Sequence, residues 1–313
     1  MAVAARGELT TRDRLRRRVL SVRRLREYAI EGFIFLNALL GVGVLVGIMI
    51  LLLREGLPLF GDYSFVDFMT GKHWYPVSSP PTFGILPSFT ATLWVTGGAI
   101  AIALPIGVLS AVFLSEVAPP WLRDVLKPLI ELISGVPSIV IGFIGLLVLA
   151  PFLADALNLN TGLTGLTAAI MLAFMSLPLI ISISDDALRA VPDEYREGAY
   201  ALGATRWQTV WFVLIPAAFS GMTASVMLGV GRAVGETMTV LMVAGGALKI
   251  QTSIAEPMRP MTATIAAEIN NAVQGGEQYR ALFATGIVLF ILTFIVNLVA
   301  DIVLERQKRK FQR

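Results

Sequence analysis

Apolar residues in this chain gather into six long blocks, at about 33–53, 86–114, 128–153, 163–184, 217–245 and 281–304, with charged residues confined almost wholly between them. A helix rising 1.5 Å per residue needs about 20 apolar residues to cross a hydrocarbon layer of about 30 Å. The pattern therefore predicts an all-α polytopic membrane protein with six transmembrane helices. The first block is longer than a signal-peptide core and no cleavage site follows it, so it is expected to stay as a membrane anchor.

Charge orders the blocks. Placing the N-terminus in the cytoplasm puts nine arginines (Arg6 to Arg26), Arg123, Lys127, Arg189, Arg196, Arg206 and five basic residues from Arg306 to Arg313 on the cytoplasmic side. Only Arg54, Lys72, Lys249, Arg259 and Arg280 then face outward, and Arg232 is left inside a block. That asymmetry is the one expected of six crossings with both termini inside. The arginine-rich start suits anionic lipid headgroups.

Composition narrows the chemistry. Hydrophobic residues make up 56% of the 313 and charged ones 15%, against about 25% charged in soluble domains. The net charge of +3 could point to nucleic acid, but the basic residues flank membrane blocks instead. Cysteine is absent, which excludes disulfides, thiolate metal sites and Cys nucleophiles. The one histidine, His73, stands in a polar loop stretch, so a zinc or redox enzyme is not expected.

Several blocks are interrupted: Pro87 and Pro105 in the second, Gly135-Val136-Pro137 in the third, Pro178 in the fourth. Such breaks are either kinks or the lining of a water-filled path. Small residues four apart, as in Gly43/Gly47 and Gly231/Gly235, suit close helix approach.

Between the fourth and fifth blocks, 192–216 reads as a helix–turn–helix. Pro192, Asp193 and Glu194 open the first helix and Gly203 closes it. Thr205 and Gln208 form a capping box for the second, on which Trp207, Val210, Trp211 and Leu214 are expected to share one face. The first helix is too short to persist alone in water, and Ala199 and Leu202 are expected to be exposed on it. It either folds on its own bundle or fits a socket on another protein.

Glu197-Gly198-Ala199, Gly203 and Leu214-Ile215-Pro216 resemble the EAA loop of ABC importer permeases, with glycine in place of the first alanine and a Leu-Ile-Pro ending. The resemblance extends over nearly the whole membrane region. Phe83-Gly84-Ile85-Leu86-Pro87, Gly135-Val136-Pro137-Ser138, Gly231-Arg232-Ala233-Val234-Gly235-Glu236-Thr237 and Thr262-Ala263-Thr264-Ile265-Ala266 are similar to the phosphate-specific permeases, and among these to the C-type (PstC) subunit. The resemblance implies the type I ABC importer permease fold: a basic cytoplasmic segment 1–32, a six-helix permease domain 33–304 and a basic cytoplasmic tail 305–313. It implies a bacterial cytoplasmic (inner) membrane location. It also implies that Glu197, Gly198, Ala199, Leu202 and Gly203 form the coupling helix seated on an ATPase.

Arg232 and Glu236 lie deep in the fifth block, where each charge costs about 2.5–3.5 kcal/mol and neither is expected to face lipid. At four residues apart on a helix they share a face. They are either a self-satisfied pair that orients helix packing or, as the resemblance implies, phosphate ligands, with Arg232 donating and Glu236 holding it. Ser134, Ser138 and Thr237 are candidate hydroxyl donors or helix–helix hydrogen bonds. Lys127 and Glu131 are expected to pair at the interface, and Asp185, Asp186 and Arg189 to mark a span end.

No G-x-x-x-x-G-K-[ST] loop occurs, so ATP and Mg are expected on a partner ATPase, no cofactor on this chain, and no catalysis by it. By resemblance the partners are an ATPase dimer, a second homologous permease of the A-type (PstA) and an external phosphate-binding protein. Met261 to Val273, a short helix after Pro257 and Pro260, suits either an outer plug or that docking. Transport of phosphate by alternating access is the function expected. A permease for molybdate or sulfate is the nearest alternative. An ion-coupled secondary transporter would leave the EAA loop unexplained and would need an internal repeat that is not visible.

Overall fold

The structure, a computed structural model, describes residues 11–311. The expected basic segments 1–32 and 305–313 fall partly outside the described residues. The chain divides into two units, Met1–Arg54 and Glu55–Arg313.

The described residues of the first unit form one helix, α1 (Thr11–Gly56). Its one amide within the apolar stretch, Asn37, donates Nδ2 to the carbonyl of Phe33 at 2.7 Å, so it needs no partner in lipid.

The second unit opens with α2 (Leu59–Asp62), α3 (Phe65–Thr70) and an antiparallel pair, β1 (Trp74–Tyr75) with β2 (Thr82–Phe83). Then follow α4 (Leu86–Val112), α5 (Pro120–Ser134), α6 (Ser138–Ile144), α7 (Ala150–Leu157), α8 (Gly165–Arg189), α9 (Asp193–Ala201), α10 (Arg206–Thr209), α11 (Ile215–Gly235), α12 (Met238–Val243), α13 (Met261–Glu268) and α14 (Glu277–Phe311). Among the described residues six helical stretches are long and apolar enough to cross a membrane: Ile30–Asp62, Leu86–Val117, Ser138–Leu157, Gly165–Arg189, Arg206–Gly235 and Glu277–Val299.

The count of six matches the sequence pattern, but two boundaries move for a physical reason. The third block does not start at 128. Gly135-Val136-Pro137 breaks it, so α5 stands apart as an amphipathic helix and the spanning stretch begins at Ser138. The fifth block does not run to 245. It begins at Arg206, inside the expected loop, and ends at Gly235, where Glu236 turns extended.

Prolines shape the helices more subtly than by breaking them. π turns occupy Phe113–Val117, Gly145–Leu149 and Val210–Leu214. Each ends two residues before a proline: Pro119, Pro151 and Pro216. A proline ring collides with the carbonyl four residues back and offers no N–H. Widening the preceding turn moves that carbonyl away, which lets the helix run on through Pro151 and Pro216.

Helix α8 is the centre of the bundle, packed along both α4 and α11. The side chain of Ile180 fills the notch left by Gly107 of α4 and Gly229 of α11; a Cβ on either glycine would come within 2.7–2.8 Å of it. In lipid, where apolar surface alone gives little drive to associate, such small-residue approaches supply the packing. Ser184 and Ser225 hydrogen-bond across α8 and α11 at 2.7 Å, both fully buried. Gly231 and Gly235, by contrast, face open space and are not packing notches within this chain.

One end of α4 meets a second core, in which Phe68, Trp74, Phe83 and Ile85 pack with Ala281, Leu282 and Ala284 of α14. A loop over 244–260 closes the start of α8: Gly165 N–H donates to Glu256 O at 3.1 Å and Leu166 N–H to Ile254 O at 2.7 Å. Two predictions arise from this loop.

Gly245 has φ +91, and a Cβ there would sit 2.3 Å from the Leu163 carbonyl oxygen and 2.7 Å from Pro257 Cβ. Gly245→Ala therefore costs on the order of 3 kcal/mol from strain plus overpacking. Gly246→Ala, at φ +73 but with open space around it, costs about 1 kcal/mol. Thermal melting of the purified protein checks the order; equal melting shifts would refute the close approach.

The carboxyl of Glu256 is held down to about 2, chiefly by the Thr252 hydroxyl at 2.6 Å and then by the Lys249 ammonium at 2.9 Å. A depressed carboxylate stabilises above its unfolded value of about 4.3 and loses that contribution as the pH falls towards the folded value. Amide-exchange protection of Leu166, corrected for intrinsic rate, should thus be level from about pH 5 to pH 8 and fall only in more acid solution. A fall centred near neutrality would exclude Glu256 as its cause.

Candidate functional site

The loop singled out in the sequence is built almost as read. Pro192 precedes α9, Asp193 and Glu194 fill its first turn, and Gly203 at φ +81 ends it. Ala204 N–H reaches back to Ala199 O at 3.0 Å and Gly203 N–H to Tyr200 O at 2.9 Å. That reciprocal pair is a Schellman closure, which requires the left-handed residue glycine supplies. The capping box of Thr205 and Gln208 is present, with bonds of 3.3 and 2.8 Å.

The faces differ from expectation. Glu197, Gly198 and Leu202 are exposed, Leu202 at 90%, but Ala199 is 8% exposed and packs inward. On the second helix, Val210 and Leu214 are buried at 1% and 0% while Trp207 and Trp211 stay outside at 56% and 49%. The four do not share one face because the π turn at Val210–Leu214 intervenes. Val210 and Leu214 pack with Ala111, Val112, Leu188, Val191, Ala218 and Met222, which fixes the base of α9.

Arg196 was not picked out by the sequence pattern beyond its charge. Its guanidinium donates to Glu116 Oε1 at 2.9 Å, Val191 O at 3.0 Å, Asp193 Oδ1 at 3.1 Å and Leu188 O at 3.2 Å. A planar fork of donors is suited to gathering that many acceptors.

The second candidate cluster surrounds the break in the fifth span. Arg232 is in the last turn of α11, and Glu236 has left the helix with ψ 131. They are therefore not on one helix face, and no ion pair joins them among the described residues. Glu236 instead caps the next helix: its Oε1 accepts the Thr239 N–H at 3.2 Å, and its carbonyl accepts the Thr262 hydroxyl at 2.9 Å. Thr239 Oγ1 donates to Ser138 O at 2.9 Å, so the start of α12 abuts the start of α6. The structure brings Ser138, Glu236 and Thr237 together in this way; Thr237 donates to Gly235 O at 3.3 Å. Ser134 lies on the far side of the Gly135–Pro137 break, at the end of α5.

Arg232 makes no hydrogen bond or ion pair among the described residues, and its Nε–H is buried without an acceptor. A buried guanidinium donor without an acceptor is costly. An anion entering beside it would relieve that cost.

Lys127 does not pair with Glu131. It bridges Asp185, at 2.9 Å, and Asp186, and Arg123 adds a contact to Asp185 at 3.4 Å. Asp185, Asp186 and Arg189 lie at the end of the span Gly165–Arg189, as expected, and Asp185 there is wholly buried. Glu131 instead accepts from Ser182 at 3.2 Å. The separation of α5 from the span is what turns Lys127 towards α8.

The family described as "Binding-protein-dependent transport system inner membrane component" matches residues 103–313. The chain is 40% identical over 273 residues to the probable ABC transporter permease protein YqgH of Bacillus subtilis strain 168, covering 87% of this chain and 88% of that one. It is 36% identical over 307 residues to the phosphate transport system permease protein PstC of Mesorhizobium japonicum, covering 90% and 92%. Among solved structures it resembles a chain of a bacterial alginate ABC transporter in complex with an alginate pentasaccharide-bound periplasmic protein. The TM-score there is 0.63 with 16% identity, over 90% of this chain and 95% of that chain, a likeness of fold. With its broken spans, its EAA-like loop closed at Gly203 and relatives matched along nearly their full length, this chain belongs to the family of binding-protein-dependent transport system inner membrane components.

Proposed function

We propose that this chain is a permease subunit of an ATP-driven importer that carries inorganic phosphate inward across the bacterial cytoplasmic membrane. The observation that carries the substrate is Arg232: a cation in the last turn of the fifth span, beside the break at Glu236, buried at Nε and without a partner among the described residues. The phosphate transport name of the Mesorhizobium japonicum relative, matched over 90% of this chain, supports the same anion. In this reading Arg232 binds phosphate, Ser138 and Thr237 offer hydroxyls, and Ser134 reaches the path from the end of α5. Glu236 shapes the site by holding the start of α12 rather than by pairing with Arg232.

Energy enters from outside the chain. No phosphate-binding loop is present in the sequence, so ATP and Mg belong to an ATPase dimer seated on Glu197, Gly198, Leu202 and Gly203, with Ala199 packed beneath them, and this subunit catalyses nothing. The coupling helix α9 and both termini face the cytoplasm, as the basic residues favour. A second, A-type permease completes the path and an external binding protein delivers phosphate. ATP binding closes the dimer, moves the coupling helices and turns the pair outward; hydrolysis returns it.

Proteoliposomes holding this chain with its partner permease and ATPase, with the binding protein added outside, test the reading. Uptake of labelled phosphate is expected only with ATP, and excess molybdate or sulfate is expected not to compete. Uptake without nucleotide would overturn it, and so would displacement by either competing anion.

A further inference from the structure

Helix α9 is nine residues long and, beyond its own α10 and π turn, is tied to the bundle chiefly through one side chain. Arg196 reaches from it to Glu116, which lies in the π turn Phe113–Val117 at the end of α4. Both side chains are largely shielded, with exposures of 19% and 10%. The same carboxylate oxygen also accepts the Ser115 hydroxyl at 3.0 Å, which orients it towards Arg196. Charge-assisted bonds in a shielded site resist competition by water.

The other end of α4 is bonded to a different element. Thr92 Oγ1 accepts the N–H of Met261 at 3.0 Å, and Ser88 and Thr264 share a hydrogen bond at 3.1 Å, all buried. Helix α13, which carries Met261 and Thr264, also carries Thr262, whose hydroxyl holds the carbonyl of Glu236 at the break in the fifth span. A continuous helical stretch, Leu86–Val117, thus runs from the base of α9 to the element that grips the break. The stretch carries Pro105 and ends in the π turn that holds Glu116, and what keeps it in one line is its packing along α8.

We propose that Arg196 and Glu116 form the strut through which displacement of α9 is passed to α4, and through α4 and α13 to the backbone at Glu236. Both are positioning residues, acting through α4 and α13. The inference rests on the reading of α9 as the ATPase contact. Without this pair α9 would meet the bundle only through α10, the π turn Val210–Leu214 and apolar packing. The strut gives it a second, polar attachment to a different helix.

The test uses the assembled complex of both permeases and the ATPase in proteoliposomes, with binding protein present, and reads phosphate uptake and ATP hydrolysis in the same vesicles. Glu116→Gln keeps the size of the side chain and its oxygen but removes the charge, and leaves Arg196 its bonds to Leu188, Val191 and Asp193. The expected result is uptake per ATP hydrolysed falling by roughly tenfold, about the effect of one charge-assisted bond of about 1.4 kcal/mol, with the ATPase still co-purifying. Glu116→Asp, which retains the charge, should recover part of the ratio. An unchanged ratio, or uptake and hydrolysis falling in parallel, overturns the strut. If the unsubstituted complex shows no ATP-dependent uptake, the reading of function has failed as well, and the two failures are thereby told apart.

Discussion

Arg232→Gln should lower phosphate uptake by about a hundredfold while leaving the ATPase bound and the fold intact. The magnitude follows from replacing a bidentate, charge-assisted contact of about 3 kcal/mol by a shorter, neutral amide. Arg232→Lys keeps the charge but not the fork, and should fall between the two. The accompanying stability change decides what the residue is for. Arg232 makes no bond among the described residues and buries an unpartnered Nε–H. Removing it takes an uncompensated cation out of the span, so the melting temperature should hold or rise. Had Arg232 been paired with Glu236 to organise packing, the same substitution would strand a carboxylate and lower it. A variant that melts early and still transports would assign Arg232 to structure and remove it from the path.

Leu202→Glu should have the opposite profile, with the subunit folded and the ATPase lost. Leu202 is 90% exposed on the last turn of α9, immediately before the glycine that closes it. A leucine so placed has nothing to lose within the chain, and exposed substitutions typically change stability by less than about 0.5 kcal/mol. If it fills a socket on the ATPase, its burial there contributes about 1.5–3 kcal/mol, and a carboxylate in its place is worse than none. Co-purification should fall by roughly a hundredfold. The neighbouring Ala199 is packed inward, so Ala199→Glu would disturb the fold first and is the wrong probe of docking. Full co-purification of the Leu202→Glu subunit would show that this turn of α9 does not meet the ATPase.

Much of this was legible before any coordinates. The six apolar blocks gave six spanning helices because a bilayer imposes a minimum length that no core helix must satisfy. The closure of α9 at Gly203 and the Thr205–Gln208 box were readable because capping is local chemistry, decided by residues within a turn of each other. The glycine–proline signal at 135–137 was read, yet its consequence was not. Whether such a signal kinks a span or ends one depends on what accepts the freed groups, and here α5 is peeled away to pack on α8.

The pairings were the part the sequence concealed. Lys127 with Asp185, and Arg196 with Glu116, join residues 58 and 80 positions apart, and no periodicity connects them. The i, i+4 rule suggested Arg232 with Glu236 and Lys127 with Glu131. They failed for different reasons: a backbone break ends the helix between Arg232 and Glu236, whereas Lys127 and Glu131 share an unbroken α5 and a closer acidic pair on α8 captures Lys127.

By itself, then, the amino-acid order determined where the chain enters and leaves an apolar layer, how its helices start and stop, and which short loop is chemically unlike the rest. These depend on residue type and on neighbours a turn away. Tertiary structure alone decided which charges meet, which faces of α9 are hidden, and that Arg232 is left without a partner among the described residues. Those outcomes depend on distances between helices, fixed by small contacts such as Ile180 against Gly107 and Gly229, and distance between remote segments is a property of packing.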